Sequence, residues 1–150
     1  MKLKVPPPIQ VLLAIVLIWL AAAVVPSGLS LPGVLVPLGW VLVVAGLALN
    51  VHVALRFRAA QTQISPLDPS KSTSLVSDGV FGRSRNPIYL AMAFVLAGFV
   101  LVFQSLLGAL VVPLFVWTIT ESQIKPEEEA LRTLFGDEYA AYCERVRRWI

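Results

Sequence analysis

Two short polar stretches carry the side chains most able to do chemistry. The first is Arg83-Ser84-Arg85-Asn86-Pro87. Proline suits the first position of a helix and asparagine the position before it. The stretch therefore predicts a helix that starts at Pro87 with Asn86 as its N-cap. A helix start presents free N–H groups and a partial positive charge, a ready site for an anion or carboxylate. Arg85 and Asn86 would position a ligand there. The plainer role for Arg83 and Arg85 is to anchor the helix at anionic lipid headgroups. The second stretch is Glu127-Glu128-Glu129, directly after Pro126. Acids in the first turn of a helix complement its dipole whatever else they do. A carboxylate pair facing the other helix start across a pocket would suit a zwitterionic ligand carrying an amine.

Other reactive residue types are scarce. Cys143 and His52 are each the single example of their kind. An internal disulfide and a zinc-type cluster are therefore excluded, and no metal is expected. No Ser-His-Asp arrangement is evident either. His52 reads first as a buried or interfacial packing residue. With Asn50 it is also a candidate substrate contact, because polar residues inside a span bond to neighbouring helices or line a cavity.

The elements that must position these residues follow from where charge is absent. The chain has 150 residues, 57% of them hydrophobic and only 14% charged, with a mean hydropathy of +0.79. Residues 5–55 and 86–120 contain no Asp, Glu, Lys or Arg. A bilayer core rejects charge, so such blocks read as membrane spans. The first block holds spans at 9–25 and 35–57, broken at Pro26-Ser27-Gly28. The second predicts a hairpin of spans at 88–103 and 106–120, turning at Gln104-Ser105. One long kinked helix is the rival reading, but it would overshoot the membrane. The expected fold is an all-α integral membrane protein of about four transmembrane helices. A loop at 58–86, rich in turn residues, and C-terminal helices at 121–150 would close a pocket over the helix ends. In the latter, Leu131, Leu134, Phe135, Tyr139, Tyr142, Val146 and Trp149 form an apolar stripe. Gly136 breaks or bends it.

With four spans, all twelve Lys and Arg residues fall on one side. The positive-inside rule names that side the cytoplasm and places both termini there, in a bacterial inner membrane. A cleaved secretory signal is the alternative for residues 1–23, since Lys2 and Lys4 precede an apolar run ending in three alanines. The later segments would keep their placement. Membrane lipids are expected partners and nucleic acid is not. Nothing in the sequence sets an oligomeric state.

Three spaced elements then carry a resemblance. They are Leu75-Val76-Ser77-Asp78-Gly79-Val80-Phe81, then Arg85-Asn86-Pro87-Ile88-Tyr89-Leu90, then Glu127-Glu128 with Leu131, Phe135-Gly136, Tyr139 and Tyr142. Over residues 55–150 the chain resembles the isoprenylcysteine carboxyl methyltransferase and phospholipid methyltransferase-like membrane family. The resemblance implies S-adenosylmethionine as methyl donor, S-adenosylhomocysteine as product, and a lipophilic small-molecule or lipidated acceptor at the cytoplasmic face. It implies cofactor contacts at Thr73, Ser74, Leu75, Val76, Phe81, Asn86, Pro87, Ile88, Tyr89, Glu127 and Glu128. Phe81 departs from a common tyrosine and Asn86 from a common histidine. Gln123 stands where the prenylcysteine enzymes carry an arginine associated with the substrate carboxylate, so it is a candidate substrate contact. A neutral amide cannot offer the charged fork a carboxylate prefers, which puts a prenylcysteine carboxylate in question. Competing readings are a sterol-reductase-like NADPH-binding enzyme and a non-catalytic module that keeps the pocket.

Overall fold

The computed structural model describes residues 5–24, 30–59 and 75–150. Among them the regular elements are all helical, as the charge pattern predicts. Helix α1, Pro7–Val24, begins within a run of prolines, where a missing N–H costs nothing. Helix α2, Val36–Ala59, is led in by a 3-10 turn at Gly33–Leu35. Helix α3, Pro87–Val102, starts on its proline. A 3-10 turn at Leu107–Leu110 leads into α4, Val111–Ile119. A π turn at Thr120–Ile124 then joins α4 to α5, Lys125–Arg145, without a break. Pro126 explains that turn. It cannot bond the carbonyl of Ser122, and its ring pushes that carbonyl aside, so the chain widens just before it. Within α5, Gly136 leaves helical geometry at φ 49°, which splits the helix in two where a kink is expected.

Helix α3 is central. Its buried residues, including Tyr89, Ala91, Leu96, Gly98 and Val100, face two sides. On one side it packs with Ala14 and Ile18 of α1 and Phe115 and Ile119 of α4. On the other it meets α2 at backbone contact. A Cβ on Gly39 would lie 2.7 Å from the Gly98 carbonyl oxygen, and one on Gly46 would lie 2.6 Å from that of Ala91. Small residues at such positions let two helices approach closely.

The outward faces are apolar. Leu12, Leu13, Leu17, Val41, Val44, Leu47, Leu114 and Trp117 are all exposed. Contiguous apolar surface of that extent is untenable in water and is what hydrocarbon wets. Three helical stretches are long and apolar enough to cross a membrane, Pro7–Val24, Gly33–Ala59 and Leu107–Arg145. Helix α3 is equally apolar but has 16 residues, ~24 Å of rise. Exposed Trp19 and Trp40 near one end, and Trp117 near the other, fit an interfacial aromatic belt.

The two ends of the bundle differ. At one, the Leu31 N–H bonds the Gln104 carbonyl at 2.8 Å, and Ser30 pairs with Ser105. Gln104 takes φ 55°, so the hairpin of α3 and α4 turns where the two polar residues interrupt the apolar run. At the other end lie Val5, Arg56, Pro87 and the start of α5, together with the charged side chains described next.

Candidate functional site at the polar end of the bundle

The loop before α3 is fixed from below. Arg56, in the last turn of α2, pairs with Asp78 at 2.8 Å. Gly79 follows at φ +59°, which favours glycine, and a Cβ there would lie 2.6 Å from the Arg56 guanidinium and push it from its place. Phe81 is buried edge-on against Phe57, and its carbonyl accepts the Tyr142 hydroxyl at 2.7 Å. Burial pushes the Tyr142 hydroxyl up to about 12, so it stays a neutral donor at physiological pH. Burial, then nearby Glu128, raises Tyr139 as well. Leu75, Leu131, Phe135 and Cys143 pack on Tyr139, Tyr142 and Val146, which makes the apolar stripe of α5 the floor of this loop. Leu134 falls outside it and is exposed.

Residues 146–150 turn back over the start of α3. The Arg85 N–H bonds the Arg147 carbonyl at 3.0 Å, and the Asn86 amide donates to the Arg148 carbonyl at 3.0 Å. Arg148 then forks onto Glu128 at 2.9 and 2.7 Å, and Arg85 reaches the same carboxylate at 3.2 Å. Hydrogen bonding to Glu128 raises the Arg148 guanidinium above its ordinary value. Arg85 also contacts the Cys143 sulfur.

Asn86 therefore occupies the N-cap position without capping. Its side chain makes no bond to the first turn of α3, because it is turned toward the Arg148 carbonyl. Among the described residues no side chain bonds the N–H groups of that turn, which is what an anion site requires. Asn86→Ala is expected to cost about 1 kcal/mol through loss of this tail bond, the worth of one intramolecular hydrogen bond. Chemical denaturation in detergent would measure it, and faster amide exchange confined to residues 146–150 would separate tail release from helix fraying.

Glu127, half-buried in the first turn of α5, accepts the Tyr89 hydroxyl at 2.6 Å. The structure thus brings together Leu75, Phe81, Arg85, Asn86, Pro87, Tyr89, Glu127 and Glu128. Val76 and Ile88 are half-buried beside them, while Thr73 and Ser74 lie outside the described residues. Both oxygens of Glu128 are taken by guanidinium groups, whereas Glu127 bonds Tyr89 in the first turn of α3. Gln123 is fully buried one turn before Glu127. Asn50 is half-buried on α2. His52 is exposed there, so of the buried and interfacial placements expected for it the buried one does not hold. The reason is helical phase, since α2 turns Gly39, Val43, Gly46 and Val53 toward α3 and carries His52 away. An apolar groove of about 210 Å³ opens beside Pro87, lined chiefly by Leu49, Val80, Leu90, Trp149 and Ile150, with Arg83 at its edge.

Sequence reasoning missed Arg148 as a partner of Glu128. Its only local signal was membership of the Arg145, Arg147, Arg148 run, and nothing periodic connects residue 148 to 85 or 128.

These features define a class: an all-helical integral membrane protein that gathers its charged side chains at one end of the bundle. The comparisons narrow it. The family model for phospholipid methyltransferases matches residues 34–138, and the chain belongs to that family. It is 29% identical over 77 residues to the protein-S-isoprenylcysteine O-methyltransferase of Schizosaccharomyces pombe, across 51% of this chain and 33% of that enzyme. It spans, then, about a third of the yeast enzyme's length. It is also 38% identical over 63 residues to an uncharacterized protein of Haemophilus influenzae, across 42% of this chain and all of that protein. No solved structure matches it. Family and fold together place it among membrane methyltransferases of the isoprenylcysteine and phospholipid type.

Proposed function

We propose that this protein binds S-adenosylmethionine at the polar end of the bundle and transfers its methyl group to a lipophilic acceptor at the cytoplasmic membrane face. One observation carries the reading. The first turn of α3, which Asn86 leaves uncapped, carries Tyr89, and the Tyr89 hydroxyl bonds the Glu127 carboxylate at 2.6 Å, so the helix start and the carboxylate lie side by side. The two ends of an amino-acid moiety need that pairing: N–H groups for its carboxylate and a carboxylate for its ammonium. The residues therefore fit the donor. When bound, S-adenosylmethionine supplies a methyl group already activated on a sulfonium.

The protein's own part is to bind, orient and exclude water. The Ile88 and Tyr89 N–H groups hold the carboxylate, and Glu127 holds the ammonium. The Tyr89 hydroxyl fixes the rotamer of Glu127 so that less freedom is lost on binding. Leu75, Val76 and Phe81 supply the apolar side of the site. Arg85, Asn86 and Glu128 act through the tail: they hold residues 146–150 over the site and keep water from it. An acceptor dissolved in the bilayer reaches the site between helices whose outer faces are already apolar. The arginines around this end support a cytoplasmic placement.

Titration calorimetry on the detergent-purified protein tests the reading. Wild type is expected to bind S-adenosylmethionine and S-adenosylhomocysteine in preference to NADPH. Glu127→Gln keeps the acceptor for Tyr89 but removes the charge. It should weaken binding about tenfold or more, the worth of one charge-assisted hydrogen bond, with stability changed by less than about 1 kcal/mol. Unchanged affinity in a folded variant would reduce Glu127 to a helix-start residue. Preference for NADPH would point to the reductase chemistry instead.

A further inference from the structure

Two glutamine amides, one half-buried and one fully buried, meet on the α1 side of this site. Gln10, in α1, donates its side-chain N–H to the Val5 carbonyl at 2.9 Å, and Gln123, in the π turn, donates to the same carbonyl at 3.1 Å. A backbone carbonyl only accepts, so both amide nitrogens must face it and the orientation of each amide is determined. The two side-chain oxygens are then turned away from Val5. Both are buried, and neither has a hydrogen-bond partner among the described residues. Gln123 has no exposed surface at all. Unsatisfied buried oxygens are uncommon, because each forfeits the water it had in the unfolded chain.

Their position gives the pair a purpose. Gln123 and Glu127 are four residues apart on one helical face, so the amides lie one turn further into the membrane than Glu127. The π turn that carries Gln123 is a geometry often retained at functional sites. The other half of the pair, Gln10, lies outside the 34–138 stretch that matches the family. Gln123 lies within that stretch, so the pairing of the two amides adds a residue from α1 to it.

We propose that the Gln10 and Gln123 side-chain oxygens form an acceptor-only binding site for the hydrogen-donating head of the methyl acceptor, an amine or a hydroxyl. The assignment rests on the proposed methyl transfer for its role but not for its chemistry. Two carbonyl oxygens with no donor beside them attract N–H or O–H. They repel a carboxylate, which has only acceptors to offer. The nearby Lys125 does not alter this, since its ammonium is paired with Glu121.

The test uses the full chain in nanodiscs and three radiolabelled probes of equal chain length: dodecylamine, dodecanol and dodecanoate. Wild type should bind the amine and the alcohol about tenfold more tightly than dodecanoate, the worth of one buried hydrogen bond to a charged or neutral donor. Gln10→Leu and Gln123→Leu should each abolish most of that preference while leaving S-adenosylmethionine affinity unchanged. Gln123→Glu, nearly the same in shape, should increase the preference for the amine over the alcohol, and it covers the case in which a leucine variant does not fold. Equal binding of the three probes by wild type would overturn the proposal. So would an undiminished preference in the folded variants, which would mean that the amides hold only a structural water. If the amine preference is present and S-adenosylmethionine does not bind, the donor-binding site stands and the methyl-transfer reading falls.

Discussion

Glu128→Ala is expected to destabilise the protein by about 3 kcal/mol or more, the largest loss from any single change at the polar end. The carboxylate is 11% exposed and balances two guanidiniums, one of them Arg85, itself 12% exposed. Removing one partner of a buried pair leaves the other charge buried and uncompensated, which costs more than the pair contributes net. Arg85 would suffer most, because its Nε already lacks a partner among the described residues. Arg148 is 37% exposed and can turn to water. Arg148→Ala should accordingly cost less than Glu128→Ala, since Arg85 remains to neutralise the carboxylate. The two variants separate charge burial from simple tail release. Denaturant unfolding in detergent gives the free energies. If Glu128→Ala and Arg148→Ala lost the same amount, below about 1 kcal/mol, the cluster would be behaving as a solvated surface pair.

The second large effect is expected far from the charges. In an ordinary helix interior, glycine to alanine gains about 1 kcal/mol. Gly98→Ala should reverse that sign and lose about 2–3 kcal/mol, because overpacking a tight contact costs that much. The new Cβ would sit 2.6 Å from the Gly39 carbonyl oxygen and 2.9 Å from the Val43 nitrogen. Those are backbone atoms of α2, so relief requires the helices to separate along their length. Gly33→Ala is the matched control, since its Cβ would meet only the Gln104 side-chain oxygen at 3.7 Å. A lowered unfolding midpoint for Gly98→Ala beside an unchanged one for Gly33→Ala would establish the close crossing of α2 and α3. Equal midpoints would show that the two helices sit further apart.

Much of this architecture is legible in the order of the residues. Two uncharged blocks, 5–55 and 86–120, specify helices in lipid because neither a charge nor an unpaired backbone group is tolerated there. Gln104-Ser105 marks the hairpin turn, and the chain bends at those residues. Gly136 marks the break in α5 because only a residue without a Cβ takes φ 49° freely. The site's ingredients are equally legible as local signals. Pro87 starts α3, and the acids after Pro126 stand in the first turn of α5.

What local signals could not decide is how each side chain is used. Asn86 has the right type and place for a cap, yet the carbonyl of Arg148 is a competing acceptor that exists only once residues 146–150 fold back. Glu127 and Glu128 are neighbours of one type in one helical turn. The 100° between them sends Glu127 to Tyr89 and Glu128 to Arg85 and Arg148, and only the packing of α5 against the α3 start says which goes where. His52 reads as a packing residue by its polarity, and the phase of α2 places it on the outer face. Gln10 and Gln123 are separated by most of the chain and meet at one carbonyl because the start of α1 and the π turn lie together at the polar end. Composition and periodicity thus determined the solvent, the helices and the side of the bundle that carries charge, since those follow from each residue's own transfer energy. Pairing was left to the tertiary structure, because a hydrogen bond or an ion pair depends on the distance between residues that no local pattern relates.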